Sequence, residues 1–226
     1  MKQQFLEEQL KDLATQLRCP QGEMGIATGL NMNTGNEAMI AETINLLELE
    51  AGADVLELGP GNAQHLSSLL GQYQLGTYHG LEISQTMREQ AIALNKHLDQ
   101  SKISFSCYDG LRLPFDNGSF DTVFTINTIY FWEQPQQLLA EIARVLKPGG
   151  KFLLTFAQAS FMQQLPFVQY GFTLYDTEKV AALLTDTNLE IETEWHKNDI
   201  AISKIGTKVE REYTVLKLKR FRIQEA

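Results

Sequence analysis

Apolar and polar positions along this chain switch repeatedly between a period near 3.6 and short, almost continuous apolar runs. Phe5, Leu10, Leu13 and Leu17 recur at near-helical spacing and predict a helix over Met1 to Leu17. The next stretch, Cys19 to Asn36 ("CPQGEMGIATGLNMNTGN"), is rich in glycine and asparagine and reads as mostly loop. Helical spacing resumes from Glu37 to Leu49. A strand (Asp54 to Leu58), a helix (about Gln64 to Tyr73) and a second strand (Thr77 to Glu82) come next. Ser84 can cap the following helix, which runs to about Asp99, because its hydroxyl can accept from a free N–H of the first turn. "ISFSCYD" alternates as a third strand, and "FDTVFTIN" reads as a fourth, buried on both faces. "PQQLLAEIARVLKPGG" is a helix with a Pro-Gly-Gly stop, and "KFLLTFA" is a fifth strand. Strands alternating with helices predict right-handed βαβ crossovers, hence a parallel sheet with helices on both faces.

The last third changes character. "FMQQLPFVQYGFTLY" is aromatic and irregular, and "DTEKVAALLTDTN" is a helix capped by Asp176 or Thr177. "LEIETEWH" and "REYTVLKLKRFRI" alternate with period two and are joined too closely for a crossover helix, which predicts an antiparallel pair closing one edge of the sheet. The second run is basic at Lys217, Lys219, Arg220 and Arg222. It reads as an edge strand whose charges face water, with an anion-binding surface as the alternative.

Bulk properties narrow the choice of partners. A length of 226 residues suits a single domain. The net charge of −9 disfavours duplex nucleic acid, whose phosphates are bound through Lys and Arg. No run approaches the roughly 20 apolar residues of a membrane span, and the N-terminus lacks the apolar core of a signal peptide. Two cysteines, Cys19 and Cys107, without CxxC spacing fit a reducing cytoplasm, and no metal is expected. Small molecules are left as the default ligands.

The candidate chemistry lies in "VLELGPGNAQH" (Val55 to His65), where a buried strand runs into Gly59 and Gly61. In a parallel sheet ligands sit at the carboxyl ends of strands. Glycine there lets a ligand lie against backbone and permits φ > 0. A dinucleotide fingerprint G-x-G-x-x-G/A would need a small residue at Gln64 and is broken. The small residues fall instead at Gly59, Gly61 and Ala63, with Glu57 two before the first.

That E-x-G-x-G-x-A arrangement resembles the first motif of the class I S-adenosylmethionine-dependent methyltransferases, in particular the small-molecule-directed type 11 group. "YHGLEIS", "CYDG", "LPFDNGSFDTVFTINTIYFW" and "LLAEIARVLKPGGKFLLTF" follow in that family's order. The resemblance implies a Rossmann-like fold: a seven-stranded, mostly parallel sheet with helices on both faces and an antiparallel C-terminal strand. It implies S-adenosylmethionine as cofactor and S-adenosylhomocysteine as product. Glu57, Gly59, Pro60, Gly61 and Asn62 would form the cofactor turn, and Glu82, with Ile83 and Met87 behind it, would take the ribose hydroxyls. Asp109 and Gly110 would meet the adenine, and Asn127 the methionine moiety. A side chain at Gly59 is expected to clash with the ligand while leaving the fold largely intact. Amino-group methylases of nucleic acid and protein carry two prolines after the residue equivalent to Asn127; "NTIY" lacks them, which argues against adenine-N6 or glutamine methylation.

Methyl transfer from a sulfonium needs a base only when the nucleophile must lose a proton. His65 and Tyr130 are the candidate catalytic side chains; for His65 an ordinary hydrogen-bonded histidine is the competing reading. Tyr130, Trp132, Phe161, Met162, Phe167 and Tyr170 are candidates for an apolar acceptor pocket. Residues 158–175 would be the acceptor-binding insertion, and residues 1–36 an N-terminal lid, with Gly25, Met32 and Asn33 near the cofactor, all within one domain spanning 1–226. A nicotinamide-dependent oxidoreductase and an inactive cofactor-binding protein are the rival classes. Acceptor identity, the atom methylated and oligomeric state are left open.

Overall fold

In the computed structural model, which describes residues 6–202 and 208–221, the alternating pattern becomes one seven-stranded sheet. Helices α1 (Glu7–Arg18) and α2 (Gly22–Leu46) precede strand β1 (Ala53–Leu58). Then come α3 (Leu66–Gln72), β2 (Leu75–Glu82), α4 (Gln85–Asn95), β3 (Ile103–Cys107) and β4 (Phe120–Ile126). A 3-10 turn (Ile129–Phe131) leads to α5 (Pro135–Val145), β5 (Leu146–Ala157) and the short α6 (Ala159–Met162). Helix α7 (Thr177–Leu183) and the hairpin β6 (Leu189–Ile202) and β7 (Lys208–Arg220) complete the order. The strands lie β3-β2-β1-β4-β5-β7-β6, with β1 to β5 parallel and the two C-terminal strands antiparallel. This is the fold class the sequence predicted.

Strand progression reverses between β1 and β4, so the loops leaving those strands diverge and open a crevice at their carboxyl ends. The strands that flank it are the best buried: Val55, Leu56, Leu58, Val123 and Phe124 are inaccessible to solvent or nearly so. Each such side chain contributes about 1.5–3 kcal/mol by leaving water, which fixes the position of the two loops. Ser84 caps α4 as predicted, accepting from the Met87 N–H, and Asp176 caps α7 by accepting from that of Lys179. The Pro-Gly-Gly stop belongs to β5, which begins at Leu146; α5 has already ended at Val145.

Two expectations fail. Most of the glycine-rich stretch is helix: α2 runs unbroken from Gly22, through every residue read as loop after Gln21. Glycine in a helix costs roughly 0.5–1 kcal/mol against alanine, and here close packing explains it. A Cβ at Gly25 would stand 2.6 Å from the Pro20 carbonyl carbon, and one at Gly29 2.8 Å from the Met87 sulfur on α4. Gly25 and Gly29 record contact, whereas Gly22, at φ 61° with open space around it, serves the turn into the helix.

The basic run is also not an edge. Strand β7 is interior, between β5 and β6, and β6 is the edge. Lys217 is buried, its ammonium donating to Glu48 and lying 5.5 Å from the Trp195 ring centre. Arg220 donates to the carbonyls of Arg144 and Leu146. Lys219 is exposed, and Arg222 lies outside the described residues. The protected edge uses Glu190, Glu192 and His196, all exposed on β6.

Candidate active site

The turn after β1 is built from residues at positive φ: Gly59 (71°), Gly61 (58°) and Ala63 (49°). The two glycines serve different purposes. A Cβ on Gly59 would stand 2.5 Å from Thr128 Cγ2, so this position is closed by the protein itself. On Gly61 a Cβ would meet nothing within 4 Å, because that face looks into the cleft. The expectation that bulk at Gly59 would disturb only a ligand is therefore wrong; Thr128 is struck first.

Two buried carboxylates face the same cleft. Glu57 is 2% exposed, and its Oε2 accepts from the His65 imidazole at 2.9 Å and from the Tyr78 hydroxyl at 2.5 Å. Its Oε1 has no partner among the described residues. Burial pushes the His65 imidazole down, but attraction and hydrogen bonding to Glu57 outweigh that, and its pKa is raised. His65 thus partners Glu57 through Nε2, and its Nδ1 makes no hydrogen bond among the described residues. Glu82 accepts three backbone N–H groups: Gly61 on Oε2, and Ile83 and Ser84 on Oε1. Burial still pushes its carboxyl up to about 7, against the lowering pull of those amides. A carboxylate offers about four acceptor sites, so one remains on Oε2.

From β3, Tyr108, Asp109 and Gly110 line the cleft next to Ile83. Asp109 is exposed; its Oδ1 accepts the N–H groups of Leu111 and Arg112, which hold its carboxyl below the usual range. From β4, Asn127 sits at φ 58°, a left-handed conformation that asparagine tolerates better than most residues. It donates to Asn36 Oδ1 and accepts from the Tyr130 hydroxyl. Tyr130 also accepts from the Ala157 N–H, and burial holds its pKa well above the ordinary value, so it is locked in place. The Trp132 indole donates to Thr128 Oγ1.

Pro60, Met87, Tyr130, Trp132, Phe161, Met162 and Phe167 line the cleft as the sequence suggested, and so do Met32 and Asn33. Three predicted residues do not. Asn62 lies behind the turn, its Oδ1 accepting from Asn33 and from the Gln64 N–H, so it ties the turn to α2. Tyr170 packs with Leu10, Leu17 and Phe167 under α1, with Lys11 5.5 Å from its ring centre. Gly25 packs on Pro20 rather than the cleft. Lining residues that sequence reasoning missed are Arg18, Asn36, Glu133 and Arg211. Arg18 bridges to Glu133 across the mouth. Arg211 comes from the far hairpin, and no local pattern in the sequence marks it.

With this geometry in view, comparisons with known proteins are informative. Residues 56–154 match a family described as "Methyltransferase domain". That segment holds the glycine turn, Glu82, Asp109 and Asn127, the residues that meet in the cleft. Over that segment the chain matches a methyltransferase domain, and its fold is that of the class I S-adenosylmethionine-dependent methyltransferases. An O-methyltransferase of Pyrenophora dematioidea is 29% identical over 116 residues, 51% of this chain and 43% of that protein. A fatty-acid O-methyltransferase of Mycolicibacterium smegmatis is 30% identical over 110 residues, 49% of this chain and 39% of its own length. The chain thus spans less than half the length of these relatives. A chain from the Haloferax volcanii complex between the Trm112 methyltransferase activator and a putative methyltransferase superposes with a TM-score of 0.75 at 21% identity, covering 88% of this chain and 96% of that one. S-adenosylmethionine fits the cleft on three local features: Glu57 Oε1, without a partner among the described residues, suits an ammonium, the spare site on Glu82 a hydroxyl, and the open face of Gly61 a ligand in contact with backbone.

A pH prediction follows from Glu82. Hydroxyl donors bind its ionised form, which prevails only above about 7. Affinity for S-adenosylhomocysteine is expected to rise as pH increases towards 7 and to level off above it. Folding has the opposite sign: stability from this raised carboxyl is full below about 4.5 and is lost as pH rises through 7. Calorimetry between pH 5.5 and 8.5 checks the first statement; affinity falling across that window would contradict it.

Among the described residues no helix is long and apolar enough to cross a membrane, and no cluster of three or more His, Cys, Asp or Glu could hold a metal.

Proposed function

We propose that this chain transfers the methyl group of S-adenosylmethionine to a small, at least partly hydrophobic metabolite. The single observation that carries the reading is Glu57, a buried carboxylate with one oxygen left without a partner among the described residues, in the same cleft as the open face of Gly61. In this reading Glu57 Oε1 receives the α-ammonium and Glu82 the ribose hydroxyls. Asp109 Oδ2 receives the adenine amino group, with Ile83 and Gly110 alongside. Bound, the cofactor supplies a methyl carbon already activated by its sulfonium. The chain's own residues then have to orient and dry the acceptor, and in-line displacement needs little more. His65 and Tyr130 serve as positioning residues, holding Glu57 and Asn127 respectively.

The acceptor walls are the aromatic group Tyr130, Phe131, Phe167 and Phe172, with the Phe131 and Phe172 rings 4.6 Å apart, joined by Phe161 and Met162. Residues 158–175 supply half of that group. The described part of the lid segment, residues 6–36, covers the cleft: Leu10 and Leu17 of α1 pack on Phe167, and Arg18 reaches Glu133. Apolar walls and the absence of Lys217 to Arg220 from the cleft favour a metabolite over a nucleic acid. That the two curated relatives are O-methyltransferases, one named for fatty acids, supports the same class. Titration calorimetry with S-adenosylhomocysteine should give a dissociation constant in the micromolar range; no binding at millimolar ligand sinks the proposal. NADH fluorescence run in parallel tests the oxidoreductase alternative, and turnover of labelled cofactor tests an inert scaffold.

A further inference from the structure

We infer that the acceptor presents a carboxylate, held by Arg211, and leaves as its methyl ester. This rests on the methyltransferase reading above and names the acceptor class for the same cleft.

Strand β7 runs antiparallel to β5, and Tyr213 pairs with Ala157 at the end of β5. Arg211, two residues further on, therefore stands beyond the carboxyl end of β5. Strands β1, β2 and β3, whose loops hold the cofactor residues, lie on the opposite side of β4. Arg211 is 6% exposed and lines the cleft. Its Nε and one Nη2 hydrogen go to Asp199, directly opposite on β6. Its Nη1 donates to the Gly35 carbonyl at 2.9 Å and to Asn36 Oδ1 at 3.2 Å. Guanidinium has five N–H donors, so one on Nη2 is uncommitted among the described residues. Asp199 does not line the cleft, so the positive end of this pair faces the cavity and the negative end lies behind it. A buried cation with a spare donor in an otherwise aromatic chamber suits a planar anion.

The other titratable groups at this end of the cleft are already engaged. Tyr130 is held by Asn127 and Ala157, and Glu133 by Arg18, while His65, on the β1 side, is held by Glu57 through Nε2 alone. An alcohol or ammonium acceptor would have to lose a proton to one of them. A carboxylate has none to lose. Its oxygen forms the new bond to the methyl carbon while the carbon–sulfur bond breaks, and that electron pair stays on sulfur. Anion and sulfonium are both neutralised, so a dry, apolar chamber favours the step.

The test uses the whole chain with octanoate and 3-phenylpropanoate as acids, and 1-octanol, 3-phenyl-1-propanol and octylamine as matched non-acids. Calorimetry with S-adenosylhomocysteine comes first; if the parent does not bind it, the methyltransferase reading fails and the inference falls with it. Given binding, the acids should be methylated and should bind the protein saturated with S-adenosylhomocysteine, while the alcohols and amine should do neither. Methylation of the alcohols or amine in place of the acids, or no binding of either acid, overturns the inference. R211Q leaves Asp199 buried without its partner, so the R211Q/D199N double variant is run beside it. Both should raise the acid KM at least tenfold with affinity for S-adenosylhomocysteine within twofold of the parent. If that affinity falls as far as the acid's, Arg211 serves the cofactor and the inference is wrong.

Discussion

Replacing Glu82 with alanine is expected to weaken S-adenosylhomocysteine binding about ten- to a hundredfold at pH 8, from the loss of charge-assisted hydrogen bonds of about 1.5–3 kcal/mol. The structure adds a second effect, because the same carboxylate collects the N–H groups of Gly61, Ile83 and Ser84. Without it three inward-facing donors need new partners, and the melting temperature should drop as well. Glu82→Gln separates the two contributions. It keeps one acceptor oxygen for the turn but cannot ionise, so the rise of affinity towards pH 7 should flatten while the fold is less disturbed. Calorimetry and thermal melts on both variants read the two effects. Parent-like affinity in both would move the ribose away from Glu82.

Gly59→Val should strike the fold before it strikes the ligand. A β-branched residue at φ 71° costs about 1–3 kcal/mol in backbone strain. The clash implied by a Cβ 2.5 Å from Thr128 Cγ2 adds about 1–3 kcal/mol of overpacking. For a chain of this length the sum lowers the melting temperature by roughly 5–20 °C. A cycle isolates the contact: Thr128→Ser removes only Cγ2 and keeps the hydroxyl that Thr125 and Trp132 use. Gly59→Ala alone should be clearly destabilised, and Gly59→Ala/Thr128→Ser should recover the overpacking part but not the strain. Additive single effects would mean that Thr128 does not close this position. Gly61→Ala, which meets open space, should cost less stability and more affinity.

The sheet was legible because each strand–helix pair is specified locally. Short apolar runs, segments of helical spacing and short turns alternate through Phe156, and parallel crossovers leave few topologies open. Glu57, Gly59, Gly61, Glu82 and Asp109 were legible for the same reason: each ends a strand, and strand ends converge at the crevice. Helix α2 was not. Its glycines are poor helix formers, and the reason for Gly25 and Gly29 lies in Pro20 and Met87, the latter over fifty residues away from Gly29 in sequence. Composition reports propensity, and contact overrode it.

The roles of charged side chains divide in the same way. Sequence determined the alternation, the glycine turn and the family resemblance, all of which depend on neighbours within a few positions. Tertiary structure decided which polar groups are already partnered. Lys217 became buried because β6 passes outside it. His65 Nε2 and the Tyr130 hydroxyl are already partnered, by Glu57 and by Asn127 and Ala157. Arg211 reached the cleft because an antiparallel hairpin returns it beside Asn36, 175 residues earlier in the chain. A hydrogen bond requires a donor and an acceptor within about 3 Å, and for groups that far apart only the folded chain sets the distance.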